Sequence, residues 1–153
     1  MARILVVDDE KSIRVTLQEI LMDDGHDVQI AEDAKIALEL LKKEDFDVIV
    51  TDIILPRMSG IKFLKAIRDV SEHVQVIMIT GEPTIDTASE ALRLGAYDYL
   101  AKLVTEAAIV KAVNGAANSK ALIDEKLRIE AENRNYQENL ELLVEERTTH
   151  LPL

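Results

Sequence analysis

Runs of apolar, largely β-branched residues alternate with helix-like patterns along most of the chain. The apolar runs predict five strands, at residues 4–7, 27–31, 48–52, 74–79 and 97–101. Between them, apolar residues spaced three and four apart predict helices at residues 11–22, 34–43, 61–68 and about 83–94. Because several of the strand patterns are continuously apolar, we expect strands that are buried on both faces of a parallel sheet.

This alternation predicts the α/β class, with a flavodoxin-like (βα)5 doubly wound parallel sheet, strand order 2-1-3-4-5 and an extended C-terminal helix. The carboxyl ends of parallel strands share one edge of the sheet, where open α/β sheets place their ligands. Polar residues follow or end four of the five predicted strands: Asp8 and Asp9, Asp52, Thr80 and Lys102. We therefore expect a functional site at that edge.

The C-terminal part of the chain, residues 105–149, lacks proline and predicts one long helix or two joined helices. Its first turns carry Ile109, Val110 and Val113, which can cover the sheet as a fifth helix. We therefore assign residues 1–118 to one domain. We assign residues 119–153 to a helical or coiled-coil linker that is truncated from a longer protein.

A seven-residue repeat distinguishes this linker. Its apolar d positions are Leu122, Ile129, Tyr136 and Leu143, and Leu140 fills one a position. The other a positions are polar, namely Lys126, Asn133 and Arg147. A strict repeat of seven favours a left-handed coiled coil, whereas polar a positions weaken it. Two interpretations stay open, a helical dimer and a solitary solvated helix.

Composition narrows the possible partners and the location. The formal charge of -11 argues against binding to a nucleic-acid backbone, which requires clustered Lys and Arg. The chain has no Cys, so it has no disulfides and no cysteine nucleophile. We find no signal peptide before the first strand and no apolar run near the roughly 20 residues of a membrane span. We expect a cytoplasmic protein that binds neither nucleic acid in this fragment nor membranes.

Asp52, which ends the β-branched run at residues 48–51, is our candidate phosphate acceptor. The carboxylates of Asp8, Asp9 and Asp52 are negative, and so is an incoming phosphoryl group. Two unit charges of the same sign ~4 Å apart repel by ~4 kcal/mol near a protein surface. Mg²⁺ can neutralise such a cluster because it prefers hard oxygen ligands, which Asp8 and Asp9 supply. Lys102 can pair with one phosphoryl oxygen, and the Thr80 hydroxyl can bond another.

Four segments in this order resemble the receiver domain of two-component response regulators. They are residues 4–10 (ILVVDDE), 52–60 (DIILPRMSG), 78–81 (MITG) and 95–102 (GAYDYLAK). Each segment alone is a weak signal, and together they are strong. The resemblance covers about residues 3–115 and implies a regulatory phosphoprotein of a phosphorelay rather than an enzyme, with at most self-phosphorylation and autodephosphorylation.

The resemblance also implies roles for individual residues. Asp52 would receive the phosphoryl group from the phosphohistidine of a sensor histidine kinase. Asp9, Asp52 and the backbone carbonyl of Ile54 would bind Mg²⁺, with Asp8 acting mainly through water. Thr80 and Tyr99 would form a switch pair that shifts between two arrangements. A homodimer would form through the C-terminal helix or through the face made by the fourth helix, fifth strand and fifth helix.

One position departs from the family pattern. The family usually has a proline, joined by a cis peptide bond, directly after the lysine, whereas Leu103 follows Lys102 here. A cis bond before a residue other than proline costs about 3 to 4 kcal/mol. The loop that positions the Lys102 ammonium is therefore expected to depart from the family geometry.

Two other functions stay open at this point. A Mg²⁺-dependent phosphohydrolase of the haloacid-dehalogenase type also uses a strand-end Asp with Thr and Lys, but it requires a second carboxylate two residues on. This chain has Ile54 there. The other function is that of a degenerate receiver that is never phosphorylated and serves as a dimerisation module.

Structural roles compete for several of these residues. The acidic run at residues 8–10 resembles a helix N-cap, and Thr80 could cap the helix that follows it. The three histidines, His26, His73 and His150, lack the spacing of metal ligands or a catalytic triad, and we expect all three at the surface.

Overall fold

The computed structural model describes residues 1–102 and 105–150, with side chains described as far as residue 144. Its main sheet contains five strands: β1 Arg3–Val7, β2 Asp27–Ala31, β3 Val48–Asp52, β4 Gln75–Thr80 and β5 Asp98–Ala101. The helices are α1 Lys11–Asp23, α2 Ala34–Lys43, α3 Gly60–Val70, α4 Ile85–Arg93 and α5 Glu106–His150. A separate antiparallel hairpin pairs Ile54–Leu55 with Met58–Ser59.

The five strands are parallel, and their order across the sheet is β2-β1-β3-β4-β5. This confirms the predicted α/β fold class and the predicted order 2-1-3-4-5. A clear register accompanies the order, since Val6 of β1 lies opposite Val50 of β3, which lies opposite Ile77 of β4. The carboxyl ends of β1, β3, β4 and β5 therefore share one edge of the sheet.

Each face of the sheet has its own hydrophobic core, because successive side chains of a strand point to opposite faces. Leu5 and Val7 pack on the face covered by α2, α3 and α4. Ile4 and Val6 pack on the other face, against α1 and the first turns of α5. This two-sided burial is what the continuous apolar runs predict.

The start of α4 differs from the prediction. The helix begins at Ile85, and its N-cap is Thr84, whose side chain accepts a hydrogen bond from the Thr87 backbone N–H. Pro83 therefore precedes the cap and does not lie in the first turn as expected. The hydroxyl of Thr84 satisfies an amide that the helix itself leaves unpaired, so the cap fixes the helix start.

Helix α5 is one continuous helix, which resolves the choice between one helix and two joined helices. Contacts divide the chain into two units, Met1–Lys120 and Ala121–Leu153. In the first unit, α5 buries Ile109, Val113 and Ala116 against the sheet. None of the helices in the part of the chain that the structure describes is long and apolar enough for a membrane crossing.

The expectation that His26 lies at the surface is wrong. Its side chain is only 7% exposed. Its Nδ1 accepts a hydrogen bond from the Ala2 backbone N–H at 3.0 Å, so its Nε2 carries the proton that is donated to Asn114 Oδ1 at 2.8 Å. His26 thus joins the start of β1 to α5. His73 is partly exposed, at 39%, and the side chain of His150 lies outside the described residues.

The hairpin after β3 closes through a tight turn that the prediction lacked. Pro56 and Arg57 form its tip, and Arg57 has a φ of 66° in the left-handed region. Pro followed by a positive φ is the signature of a type II turn. The two ends of the hairpin lie close together, since the Gly60 N–H donates to the carbonyl of Ile53, the residue just before the hairpin, at 2.6 Å.

We predict that Gly60→Ala destabilises the fold by about 1–3 kcal/mol, because a methyl group there overpacks the return of the hairpin. The added Cβ would lie 2.6 Å from Ile53 Cα and 2.8 Å from the Ile53 carbonyl oxygen, both of them backbone atoms. Urea unfolding measures the change. Gly81→Ala is the matched control, because its Cβ meets only the Cδ atom of the Lys102 side chain, at an ordinary contact distance of 3.9 Å. Equal unfolding midpoints for the two variants would contradict the prediction.

Candidate functional site at the carboxyl edge of the sheet

The predicted site residues lie at the strand ends as expected. Asp8 follows β1, Asp52 ends β3, Thr80 ends β4 and Lys102 follows β5. The backbone fixes the last of these, because the Lys102 N–H donates to the Thr80 carbonyl at 2.8 Å. Four polar residues that are far apart in sequence therefore meet at one edge of the sheet.

Asp52 is the most constrained carboxylate of the group, and it is 4% exposed. Its Oδ1 accepts a hydrogen bond from the Ile54 backbone N–H at 3.1 Å. Its Oδ2 lies 2.8 Å from Lys102 Nζ and accepts a hydrogen bond from it. Both carboxylate oxygens are thus held in place, one by the backbone and one by an ammonium group.

The Lys102 ammonium is the counterion shared by three carboxylates. Besides Asp52, it lies 3.3 Å from Asp8 Oδ2 and 3.4 Å from Glu10 Oε1. Burial alone lowers the pKa of this ammonium, but the bond to Asp52 and the charges of Asp8 and Asp52 outweigh burial and raise its pKa above the usual value. Lys102 therefore stays protonated and positioned at the site.

Asp8 is fully buried, and only one of its oxygens has a hydrogen bond. Oδ1 accepts from the Glu10 backbone N–H at 2.9 Å, whereas Oδ2 is close to Lys102 without the geometry of a hydrogen bond. Burial raises the pKa of Asp8, and the charge of Asp52 adds to this, although the Glu10 amide and Lys102 oppose it. The negative form of Asp8 is therefore costly in the folded state.

The donor set suits a hard divalent cation. Carboxylate oxygens of Asp8, Asp9 and Glu10 can lie within 4.8 Å of one another. Asp8 is buried, Asp9 and Glu10 are exposed, and Asp8 Oδ2 is a buried oxygen without a hydrogen bond. A cation would satisfy that oxygen and offset the excess of carboxylates over the single ammonium. The predicted ligand Ile54 lies in the adjacent hairpin.

The predicted switch residues lie on neighbouring strands, and their hydroxyl groups have different partners. Thr80 is 1% exposed, and its Oγ1 accepts from the Glu82 N–H at 3.1 Å. The Tyr99 hydroxyl instead contacts the start of α4, with its oxygen 2.6 Å from Thr87 Oγ1 and 3.3 Å from the Thr84 backbone N. Tyr99 is thereby tied to the first turn of that helix.

The competing structural roles fit less well. The N-cap of α1 is Glu10, which makes no side-chain capping bond, so the acidic run does not cap the helix through its last member. Thr80 does not cap the next helix either, because Thr84 does. The phosphohydrolase alternative requires a second carboxylate two residues after Asp52. Ile54 at that position donates only its backbone N–H to Asp52.

Glu10 is the participant that sequence reasoning missed. Its carboxylate shares the Lys102 ammonium, although the two residues are 92 positions apart. The sequence contained a sign of this contact, because three acids follow β1 and only Asp8 and Asp9 were assigned a role. The other missed contact, between Tyr99 and Thr87, had no such signal. Leu103, where a different loop geometry was expected, lies outside the described residues.

The comparisons with known proteins agree with this geometry. The family model of the response regulator receiver domain matches residues 4–114. The response regulator protein FleR of Pseudomonas aeruginosa is 36% identical over 101 residues, which is 66% of this chain and 21% of that protein. The regulatory protein AtoC of Escherichia coli is 40% identical over 100 residues, covering 65% of this chain and 22% of that protein.

Solved structures show the same similarity. A response regulator receiver domain protein from Clostridium thermocellum superposes with a TM-score of 0.76 at 35% identity, over 80% of this chain and 99% of that chain. The beryllofluoride-activated NtrC4 receiver domain dimer gives a TM-score of 0.75 at 35% identity, over 78% of this chain and 99% of that chain.

The doubly wound parallel sheet, with acids and Lys102 at its carboxyl edge, places the chain in the flavodoxin-like α/β class. The chain belongs to the response regulator receiver domain family of two-component systems. The matched part of the chain spans about a fifth of the length of FleR and AtoC. It spans 45% of the length of the transcriptional regulatory protein DltR of Streptococcus agalactiae.

We predict that Asp8→Asn raises the free energy of unfolding by about 1–2 kcal/mol at neutral pH without divalent cations, because it removes a buried charge. The folded state holds the Asp8 proton more tightly than the unfolded state does. Stability therefore falls as pH rises through the titration of Asp8 in the folded state. Thermal unfolding at several pH values measures both effects.

Asp9→Asn is the matched control, since Asp9 is exposed and an equivalent change there should alter stability by less than about 0.5 kcal/mol. Adding Mg²⁺ should stabilise the unmodified chain, and it should stabilise Asp8→Asn less, because the Asp8 carboxylate is expected to hold the ion through water. An Asp8→Asn variant that unfolds more readily than the unmodified chain would show that the buried charge is not a cost.

Proposed function

We propose that this chain is a phosphorylation-controlled switch of a two-component phosphorelay, in which Asp52 accepts a phosphoryl group from a sensor histidine kinase. The observation that carries the proposal is the 2.8 Å hydrogen bond between Asp52 Oδ2 and Lys102 Nζ at the carboxyl edge of the sheet. It holds a nearly buried nucleophilic oxygen beside a fixed positive charge. That is the arrangement required for transfer of an anionic group to an anionic acceptor.

In the proposed transfer, an oxygen of Asp52 forms a bond to phosphorus while the P–N bond of the kinase phosphohistidine breaks. The imidazole nitrogen keeps the electron pair of that bond. Lys102 and the Thr80 hydroxyl then hold two of the phosphoryl oxygens. Burial of Asp52 and Thr80 supports this assignment, because hydrogen bonds to charged groups are stronger where water is excluded.

Mg²⁺ is the cofactor that we propose. Asp9, Asp52 and the Ile54 carbonyl would hold it, with Asp8 acting mainly through water. When bound, it supplies the positive charge that offsets the repulsion between the carboxylates and the phosphoryl group. Asp8 Oδ2 is buried without a hydrogen bond, which supports a cation, or a water bound to it, beside this oxygen. The exposed neighbours Asp9 and Glu10 leave the site accessible from solvent.

The proposed output is a conformational change at the face formed by α4, β5 and α5. A Thr80 hydroxyl recruited by the phosphoryl group would leave its present bond to the Glu82 N–H. Tyr99 would then turn inward and leave Thr84 and Thr87, which frees the first turn of α4. We propose that this face or the C-terminal helix passes the change to a homodimer partner or to another domain of a longer, cytoplasmic regulator.

We predict that incubation with Mg²⁺ and acetyl phosphate labels the chain once, and that Asp52→Asn abolishes the label, because the amide cannot accept a phosphoryl group. Phosphate-affinity gel electrophoresis or intact mass measures the label. Chelation of Mg²⁺ should also remove it. Many turnovers of phosphate release per chain would instead indicate a phosphohydrolase, and an unlabelled chain with Mg²⁺ bound would indicate a degenerate receiver.

We predict that Lys102→Ala lowers the response of α4 to phosphorylation at least about tenfold, since a hydrogen bond between charged groups contributes about 1.5–3 kcal/mol. The α4 response is measured as the change in hydrogen exchange of residues 84–93 after phosphorylation. Lys65→Ala is the control, because Lys65 is an exposed lysine of α3. Unchanged phosphotransfer together with an unchanged α4 response in Lys102→Ala would remove Lys102 from the mechanism.

A further inference from the structure

The helix in the second unit carries an apolar face that the structure leaves open. Its repeating apolar residues are 43 to 72% exposed: Leu122, Ile129, Tyr136, Leu140 and Leu143. Separations of seven, with Leu140 three residues before Leu143, place them along one seam of the helix. Such a seam is typical of pairing with another helix rather than of a solvated surface.

We propose that residues 122–143 pair with the same residues of a second copy as a parallel, in-register, two-stranded coiled coil. The inference rests on the homodimer that we included in the proposed function, and it specifies the surface, orientation and register of that dimer. It requires no phosphoryl group on Asp52.

Asn133 determines the orientation. It lies at an a position between the apolar d positions Ile129 and Tyr136. In a parallel, in-register pair, a positions face each other, so two Asn133 amides can hydrogen-bond. In an antiparallel pair, a positions face d positions, and the amide would be buried against an apolar side chain at the cost of unsatisfied hydrogen bonds. A polar Asn at one a position also favours two strands over larger assemblies.

The parallel, in-register pair brings the two Lys126 ammonium groups together, and the acids that flank them offset this repulsion. Lys126 lies at an a position, and its Nζ is 4.0 Å from Glu130 Oε1 on the same helix. In the parallel pair, Lys126 also lies beside Glu125 of the second copy, at the flanking g position. Arg128 already pairs with Glu125 and Glu132 of its own helix, which limits repulsion among the flanking acids.

Single cysteines test the orientation, because the chain has no Cys of its own. In the full chain under mild oxidation, Leu122→Cys and Leu143→Cys should each give a disulfide-linked dimer on non-reducing gels. Glu138→Cys, on the outer face of the proposed coil, is the control and should give far less. Disulfides that form only when Leu122→Cys is mixed with Leu140→Cys, which combines a d position with an a position, would show an antiparallel pair and overturn the proposal. Yields no higher than the control would show a solitary helix and also overturn it.

A matched pair of substitutions tests the seam. Leu140→Glu, at an a position, should lower the mass measured by light scattering from twice 17.1 kDa to 17.1 kDa. Leu142→Glu should leave the dimer intact, because Leu142 is off the seam although it is 58% exposed. A trimer or a monomer in the unmodified chain, or equal effects of the two substitutions, would overturn the proposal. Labelling of Asp52 should be unchanged in both variants, so failure of the coil and failure of the switch are distinguishable.

Discussion

The carboxylates of Asp8 and Asp52 are buried together at one end of a parallel sheet, and the site depends on this enforced proximity. Neither acid is more than 4% exposed, and each lies within 3.3 Å of the same ammonium group. Two negative groups withdrawn from water and sharing one counterion raise the free energy of the folded state. The hydrophobic cores on the two faces of the sheet offset that cost. The folded protein thus holds together charged groups that would separate in an isolated peptide.

The position of Lys102 shows how the fold controls this cluster. Its backbone is bonded to the end of β4, while its side chain reaches the ends of β1 and β3. Lys102 therefore contacts the ends of three strands at once. Because the ammonium stays charged, its distribution among Asp8, Glu10 and Asp52 can change without a change in protonation.

The sequence was sufficient to predict the sheet and the side chains that meet at its carboxyl edge for one reason. Continuous apolar runs imply strands buried on both faces, and parallel strands bring their carboxyl ends to one edge. The site residues follow from that topology, without any knowledge of side-chain contacts. The predicted ligands and switch roles of Asp9, Ile54, Thr80 and Tyr99 stay predictions, although the structure puts these residues at or beside the edge.

Contacts between distant segments could not be predicted in the same way. The burial of His26 depends on Asn114, which is 88 positions away on α5, and a lone histidine carries no pattern that indicates such a partner. The hairpin after β3 depends on the close approach of Gly60 to Ile53, in strands of only two residues. The start of α4 was missed because a hydroxyl cap outweighed the positional preference of Pro83.

Helix α4 is weakly anchored to the rest of the fold. Of its nine residues, all of which the structure describes, only Ala91 is buried, and Ile85 is 85% exposed. A helix of this length is marginal in water on its own, so its order depends on a few local bonds, including those of its cap to Tyr99. Local opening is least costly in such an element. The hydroxyl group of Tyr99 therefore couples a weakly held helix to β5, the strand that leads to Lys102.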